Sequence, residues 1–185
     1  IGHALVSKLI PEADPVHKVT IIPRGRALGL MTSLPVDDRH NYSRSWCLAR
    51  LSIALGGRTA EQIVFNELTN GASSDYAQAT ELARRMVCDW GMSEMLGPLS
   101  YGQKQEEIFL GRDMAHRRDY SEKTAETIDE EIKRFVVEAG EKSKKLLTAN
   151  IDVMHRMAAA LLEFEVLDDS QLDQLLKGET LKRPV

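Results

Sequence analysis

The sequence predicts a mainly α-helical fold with a small β-sheet or hairpin near residues 17–35. From Ser43 onward, apolar residues recur at the three- and four-residue spacing of a helix face. Before that point, the β-branched segment HKVTII at 17–22 is joined by the turn-forming residues PRGR to a second extended stretch at 27–35. The 185 residues, 43% hydrophobic and 28% charged, have the balance of an ordinary globular domain.

The first elements in chain order are a helix and the two strands. Residues 1–10 predict a helix that Pro11 ends, and no capping residue stands before Ile1, so we expect the chain to enter this helix partway along. The two strands that follow predict a sheet of two or three strands. Gly29 lies in the second extended stretch, where another backbone could approach closely.

Helices are predicted over the middle of the chain. A run from Ser43 carries an apolar stripe, and the pair Gly56-Gly57 is expected to end it, with a short separate helix at 58–68. After the loop TNGASS, a clear helix is expected to open at Asp75. Two of these predicted helices contain the carboxylates Glu61 and Asp75.

The C-terminal part predicts three more helices: a long one capped by Ser121, one over about 151–164, and a short one that starts at 168–170. A charged segment at 112–120 suggests a soft boundary inside a single unit. We therefore expect a catalytic subdomain at 1–115 and a helical subdomain at 116–180. The charged face at 121–145 is expected to be solvated, and a contact between subunits is the alternative.

Composition excludes several classes of function. A net charge of −4 and 5% aromatic residues give no reason to expect nucleic-acid binding. The chain contains no phosphate-binding loop, no GxGxxG motif and no apolar run long enough to span a bilayer, so this part is expected to be soluble. Cys47 and Cys88 lack metal-site spacing, and we expect both to be reduced core residues.

His3 is the first residue that could carry chemistry. In the H-E-x-x-H arrangement, two histidines one helical turn apart share a metal ion and the adjacent Glu acts as general base. Ile1-Gly2-His3 would supply the end of such a motif, with its His and Glu directly before Ile1. The alternative is an ordinary surface or core histidine. Gly2 inside a helix, which costs about 1 kcal/mol relative to Ala, indicates a close approach of some kind.

Two carboxylates compete as further ligands. Asp75 lies near the positive end of a helix, which favours its ionised form, although it could simply cap that helix. Glu61 could be a third ligand, or it could accept the N–H of a ligand imidazole and orient the ring. The other histidines share no ligand spacing and are expected to be structural or exposed; they are His17, His40, His116 and His155.

At this point the chain as a whole resembles the peptidase domain of the FtsH family, the membrane-anchored ATP-dependent zinc metalloproteases. The likeness runs in order along nearly the entire sequence, and its most specific part is an HExGH ending followed by an Asp in a TxGAxxD context. The matching segments are GHALV at 2–6, VHKVTIIPRGRALGLM at 16–31, LGGRTAEQIVF at 55–65, TNGASSDYAQATELARRMV at 69–87, WGMSEMLGPLSYG at 90–102, FLGR at 109–112 and LLTANIDVMHRMAAALL at 146–162.

The resemblance implies one zinc ion held by two histidines and an aspartate, with His3 and Asp75 as two of the ligands. Glu61 matches a family carboxylate, to which we assign an orienting or structural role. The first His and the catalytic Glu are expected upstream of Ile1, so the chain by itself is expected to bind metal weakly and to cleave nothing. The extended stretch Ala27-Leu28-Gly29-Leu30-Met31 is expected to form an edge strand that pairs with substrate backbone, rather than an interior strand.

The resemblance also implies partners outside this chain. These are polypeptide substrates, an upstream ATPase module that uses ATP, transmembrane segments and a homo-hexameric ring, with this domain on the cytoplasmic face of a bacterial inner membrane. The alternative function is a helical oligomerisation or adaptor module that has lost catalysis. His-Glu at the two positions before Ile1 would distinguish the enzyme from that module.

Overall fold

The structure is a computed structural model, and it describes residues 1–23, 29–34, 41–67, 69–101 and 120–182. Within these ranges the fold is mainly helical with one small antiparallel sheet, as the sequence predicted. The helices are α1 Gly2–Leu9, α2 Arg44–Phe65, α3 Ser73–Cys88, α4 Glu122–Ala149, α5 Ile151–Phe164 and α6 Asp169–Leu176. The strands are β1 Val16–Thr20, β2 Leu30–Ser33 and β3 Val166–Asp168.

The sheet has the strand order β2-β1-β3, with both pairings antiparallel. Val19 of the central strand lies opposite Met31 on one side and Leu167 on the other. The first two strands were predicted, but β3 was not, because three residues are too short to show a strand periodicity. β3 brings the C-terminal part of the chain onto the sheet and leaves β2 at the opposite edge.

The predicted break at Gly56-Gly57 is wrong, because α2 is one continuous helix through both glycines. α1 crosses α2 at this point with almost no space between the two backbones. A Cβ added at Gly56 would lie 2.9 Å from the Gly2 carbonyl oxygen, and one added at Gly2 would overlap the Gly56 carbonyl. The glycines therefore serve a close helix crossing, and α2 ends instead at Phe65, where Asn66 adopts a left-handed conformation.

α2 lies between two apolar clusters. One joins α1, the sheet, α5 and α6, and the other joins α2, α3 and α4 around Phe135 and Leu51. Cys47 and Cys88 are buried in the second cluster as free thiols, as predicted. Burial raises the pKa of the Cys47 thiol to about 11. The proposed boundary at 112–120 lies largely outside the described residues, and the division into two subdomains stays a prediction.

The C-terminal helices match their predicted limits closely. The Ser121 hydroxyl accepts a hydrogen bond from the Thr124 amide and caps α4, and Asp168 caps α6. α1 is fastened to α6 by Lys8, whose Nζ lies 2.9 Å from the Asp169 carboxylate and 2.6 Å from that of Asp173. These contacts hold the helix that carries His3 against the C-terminal part of the fold.

The charged face of α4 is not entirely solvated, since Glu131 is 3% exposed. Arg134 binds both of its carboxylate oxygens, at 2.7 and 2.8 Å, and the Ser93 hydroxyl donates at 2.6 Å. The hydrogen bonds from Arg134 lower the pKa of Glu131, against the opposing effect of burial. Helix periodicity did not predict that Glu131 is buried. A buried carboxylate is stable only with partners that bind its charge, and those partners cannot be identified from the spacing of residues.

We expect Glu131→Gln to lower the free energy of unfolding at pH 7 by about 1–2 kcal/mol, since Arg134 is partly exposed and solvent screens the pair. The pKa of Glu131 is lower in the folded state, so its contribution is complete above the unfolded-state pKa and is lost as pH falls through the folded value. The deficit of the variant should therefore shrink below about pH 4. Urea unfolding across pH measures it. The control Glu138→Gln removes the exposed partner of Arg134 and should change little; an equal effect would contradict the buried-pair assignment.

Candidate metal centre

His3 lies in the first turn of α1, above the middle of α2. Its Nδ1 is 2.7 Å from the backbone carbonyl oxygen of Ile53. Because a carbonyl oxygen only accepts hydrogen bonds, this contact requires the proton on Nδ1, and in the neutral imidazole Nε2 then carries the lone pair. A neutral imidazole with one nitrogen held by a backbone acceptor and the other available is the form in which histidine binds metals.

Asp75 lies in the first turn of α3 and is not its cap. The helix begins at Ser73, two residues before the predicted start, and follows a 3₁₀ turn at Asn70–Ala72. Ala72 occupies the N-cap position without a side-chain hydrogen bond. The Asp75 carboxylate therefore lies at the positive end of the α3 helix dipole.

The structure brings His3 and Asp75 together. His3 Nε2 and Asp75 Oδ2 are 3.4 Å apart, and both side chains are about one-third exposed at 31% and 32%. This separation is longer than a good hydrogen bond. Two ligands bound to a tetrahedral zinc at about 2.0–2.2 Å would lie about 3.3–3.6 Å apart. The pair therefore fits two neighbouring positions around one divalent cation.

The pair does not complete a metal site by itself. In the part of the chain that the structure describes, no group of three or more His, Cys, Asp or Glu side chains could hold a metal ion. A structural zinc site takes four protein ligands, and a catalytic site takes three plus water. His3 and Asp75 by themselves would supply two of the three protein ligands of a catalytic site.

Glu61 is not the partner of the His3 imidazole, whose two nitrogens face Ile53 and Asp75. The Thr69 hydroxyl donates a hydrogen bond of 3.2 Å to Glu61 Oε2 and accepts one of 3.2 Å from the Gly71 amide. Glu61 therefore connects α2 to the turn that leads into α3. No sequence pattern singles out Ile53, because every residue has a backbone oxygen, and Thr69 is predicted only as part of a loop.

The predicted substrate-binding stretch is described only in part. Leu30 and Met31 lie in β2, at the edge of the sheet within the described residues, and Leu30 is 43% exposed. Gly29 precedes the strand, and Ala27 and Leu28 lie outside the described residues. Of the remaining histidines, His17 and His155 are exposed. His40 and His116 lie outside the described residues.

A helical scaffold that presents an imidazole and a carboxylate at the spacing of metal ligands has the features of a metal-dependent hydrolase. A family model described as Peptidase family M41 matches residues 1–175, and the chain belongs to this family.

Curated relatives cover nearly the whole chain. An ATP-dependent zinc metalloprotease FtsH from Myxococcus xanthus is 51% identical over 98% of this chain. FtsH 4 of Sorangium cellulosum is 53% identical over 97%, and FtsH 3 of Symbiobacterium thermophilum is 50% identical over 99%. The matched regions make up 28%, 28% and 29% of these relatives, so the chain spans less than a third of their length.

Proposed function

We propose that the chain is the peptidase domain of an ATP-dependent zinc metalloendopeptidase that degrades unfolded or membrane proteins processively. The observation that carries this proposal is the 3.4 Å approach of His3 Nε2 to Asp75 Oδ2. His3 and Asp75 would hold one zinc ion together with a histidine upstream of Ile1. When bound, zinc lowers the pKa of a water ligand and polarises the scissile carbonyl.

The residues of this chain act mainly by orientation. The Ile53 carbonyl holds the His3 ring at Nδ1, and Nε2 lies 3.4 Å from Asp75 Oδ2. Asp75 lies in the first turn of α3, where the positive end of the helix dipole faces an anionic ligand group. A Glu directly before Ile1 would be the group that accepts a proton from water, and without it the chain by itself should not hydrolyse peptides.

Substrate would bind as an added strand on β2. Within the described residues, β2 pairs only with β1, which leaves its outer edge available. Backbone pairing gives affinity with little dependence on side chains, a property suited to degrading many sequences. Leu30 and Met31 would take part from the strand, with Ala27, Leu28 and Gly29 just before it.

The parent protein would be a membrane-anchored homo-hexamer with an upstream ATPase module, and this domain would face the bacterial cytoplasm. In support, the relatives are named ATP-dependent zinc metalloproteases and extend well beyond the matched region. None of the helices described in this chain has the length and hydropathy needed to cross a membrane.

Zinc titration of two proteins tests this function. The chain extended upstream through the predicted His and Glu should bind one zinc per chain and cleave casein, and the 185-residue chain should bind zinc weakly without cleavage. His3→Ala in the extended protein is the control and should lose both properties. Equal zinc binding by the extended protein and its His3→Ala variant would contradict the proposal and favour the inactive oligomerisation or adaptor module.

Glu61 gives a separate prediction. We expect Glu61→Ala in the extended protein to retain one zinc per chain and to lower the rate of casein cleavage by about tenfold or less, because it removes an indirect support of Asp75. Thr69→Val, which removes both hydrogen bonds at that turn, should have a similar effect. Metal analysis and initial rates measure it. Complete loss of zinc in Glu61→Ala would make Glu61 a ligand.

A further inference from the structure

Gly57 lies directly against the His3 imidazole. A Cβ built at position 57 would lie 2.7 Å from His3 Cε1 and 3.0 Å from His3 Cδ2, and it would overlap Nε2. Carbon atoms in van der Waals contact are about 3.5–4.0 Å apart. The imidazole therefore occupies the space that the side chain of any other residue at position 57 would take.

The ring is held from two sides by one turn of α2. The Ile53 carbonyl accepts the Nδ1 proton, and Gly57, four residues later on the same face of the helix, leaves room for the opposite edge of the ring. We call Ile53 and Gly57 together the imidazole seat. Helix periodicity alone offered no reason for a glycine here, and the sequence suggested a helix end instead.

We propose that Gly57 is a positioning residue: the absence of its side chain places His3 Nε2 beside Asp75, and any larger residue disables metal binding without disrupting the fold. The proposal rests on the metal site proposed above. It extends that site to a residue with no ligand atom, whose effect on the metal is exerted entirely through the His3 ring.

The neighbouring Gly56 supplies a matched comparison. A Cβ at Gly56 would meet backbone, 2.9 Å from the Gly2 carbonyl oxygen, together with Val6 Cγ2 at 3.1 Å. Relieving that overlap requires α1 to move away from α2. By contrast, the three atoms nearest to a Cβ at Gly57 all belong to the His3 ring, which can rotate away, and alanine is the better helix former.

The experiment compares Gly57→Ala, Gly56→Ala and His3→Ala in the 185-residue chain by thermal unfolding, zinc affinity and long-range proton–nitrogen NMR of the His3 ring. We expect Gly57→Ala to lose the tautomer with the proton fixed on Nδ1 and to bind zinc at least about tenfold more weakly. Its unfolding temperature should be equal to or above that of the wild type. Gly56→Ala should have a lower unfolding temperature. An unchanged tautomer and zinc affinity in Gly57→Ala would overturn the proposal.

A double-variant comparison covers the case in which Gly57→Ala unfolds. Without the imidazole, alanine at position 57 has space, so His3→Ala/Gly57→Ala should unfold at or above the temperature of His3→Ala. If Gly57→Ala lowered the unfolding temperature equally with and without His3, the proposed contact between position 57 and the imidazole would be wrong. If wild type and His3→Ala bind zinc equally, the proposed metal site is wrong. The effect of Gly57→Ala on the His3 tautomer then still tests whether Gly57 positions the ring.

Discussion

Asp75→Ala is expected to abolish zinc retention and casein cleavage in the chain extended through its upstream His and Glu. Removing an outer residue that merely orients a ligand costs about 10–100-fold in metal affinity or activity, so loss of a direct ligand should exceed about 100-fold. The fold should survive, because the side chain is 32% exposed and lies at the end of α3. Metal analysis after gel filtration and initial cleavage rates measure both effects.

Two further variants make this result specific. Asp75→Asn keeps the size of the side chain but removes the charge that the cation requires, and it should also lose zinc. Asp152→Ala, an acid in the first turn of α5, is a control for general charge loss and should retain both zinc and activity. Zinc and full activity in Asp75→Ala, together with their loss in Glu61→Ala, would transfer the ligand role to Glu61.

Phe135→Ala is expected to have the largest effect on stability, a decrease in the free energy of unfolding of about 3–5 kcal/mol. Phe135 is fully buried where α4 packs against α2 and α3. The guanidinium groups of Arg134 and Arg44 lie over its ring, 4.7 and 5.7 Å from the centroid. Removing the ring therefore leaves a cavity and also removes two cation–π contacts.

Urea unfolding monitored by circular dichroism measures this loss. Val137→Ala, two residues away on the same helix and 52% exposed, is the matched control and should change the free energy by about 0.5 kcal/mol or less. Equal effects in the two variants would mean that α4 does not pack through Phe135. A marginally stable parent would be unfolded at 37 °C by the larger change.

Much of the fold was predictable from periodicity and capping. α5 has the predicted limits, and Ser121 caps α4, because both features depend on neighbours in sequence. The wrong prediction at Gly56-Gly57 arose because that feature depends on a contact between distant parts of the chain. A glycine pair favours a helix end unless another backbone packs against it, and that backbone belongs to α1, far away in sequence. β3 was missed because its residues form a strand only through pairing with β1.

The proximity of the two candidate ligands was predictable from the sequence, but the contacts that hold them in place were not. The end of the motif predicted His3, the position at a helix start predicted Asp75, and the family resemblance supported both. The structure places the two side chains next to each other. The Ile53 carbonyl and the space above Gly57 depend on how α1 crosses α2, which no local pattern specifies. Glu61 was predicted to have an orienting or a structural role, and its described partner is Thr69 rather than the imidazole.

The most direct test of the metal site is anomalous diffraction at the zinc absorption edge from crystals of the upstream-extended chain grown with zinc. We expect one peak per chain, at about 2.0–2.2 Å from both His3 Nε2 and an oxygen of Asp75. A peak bound by Glu61 with Asp75 beyond bonding distance, or zinc bound at a place remote from His3, would contradict the assignment.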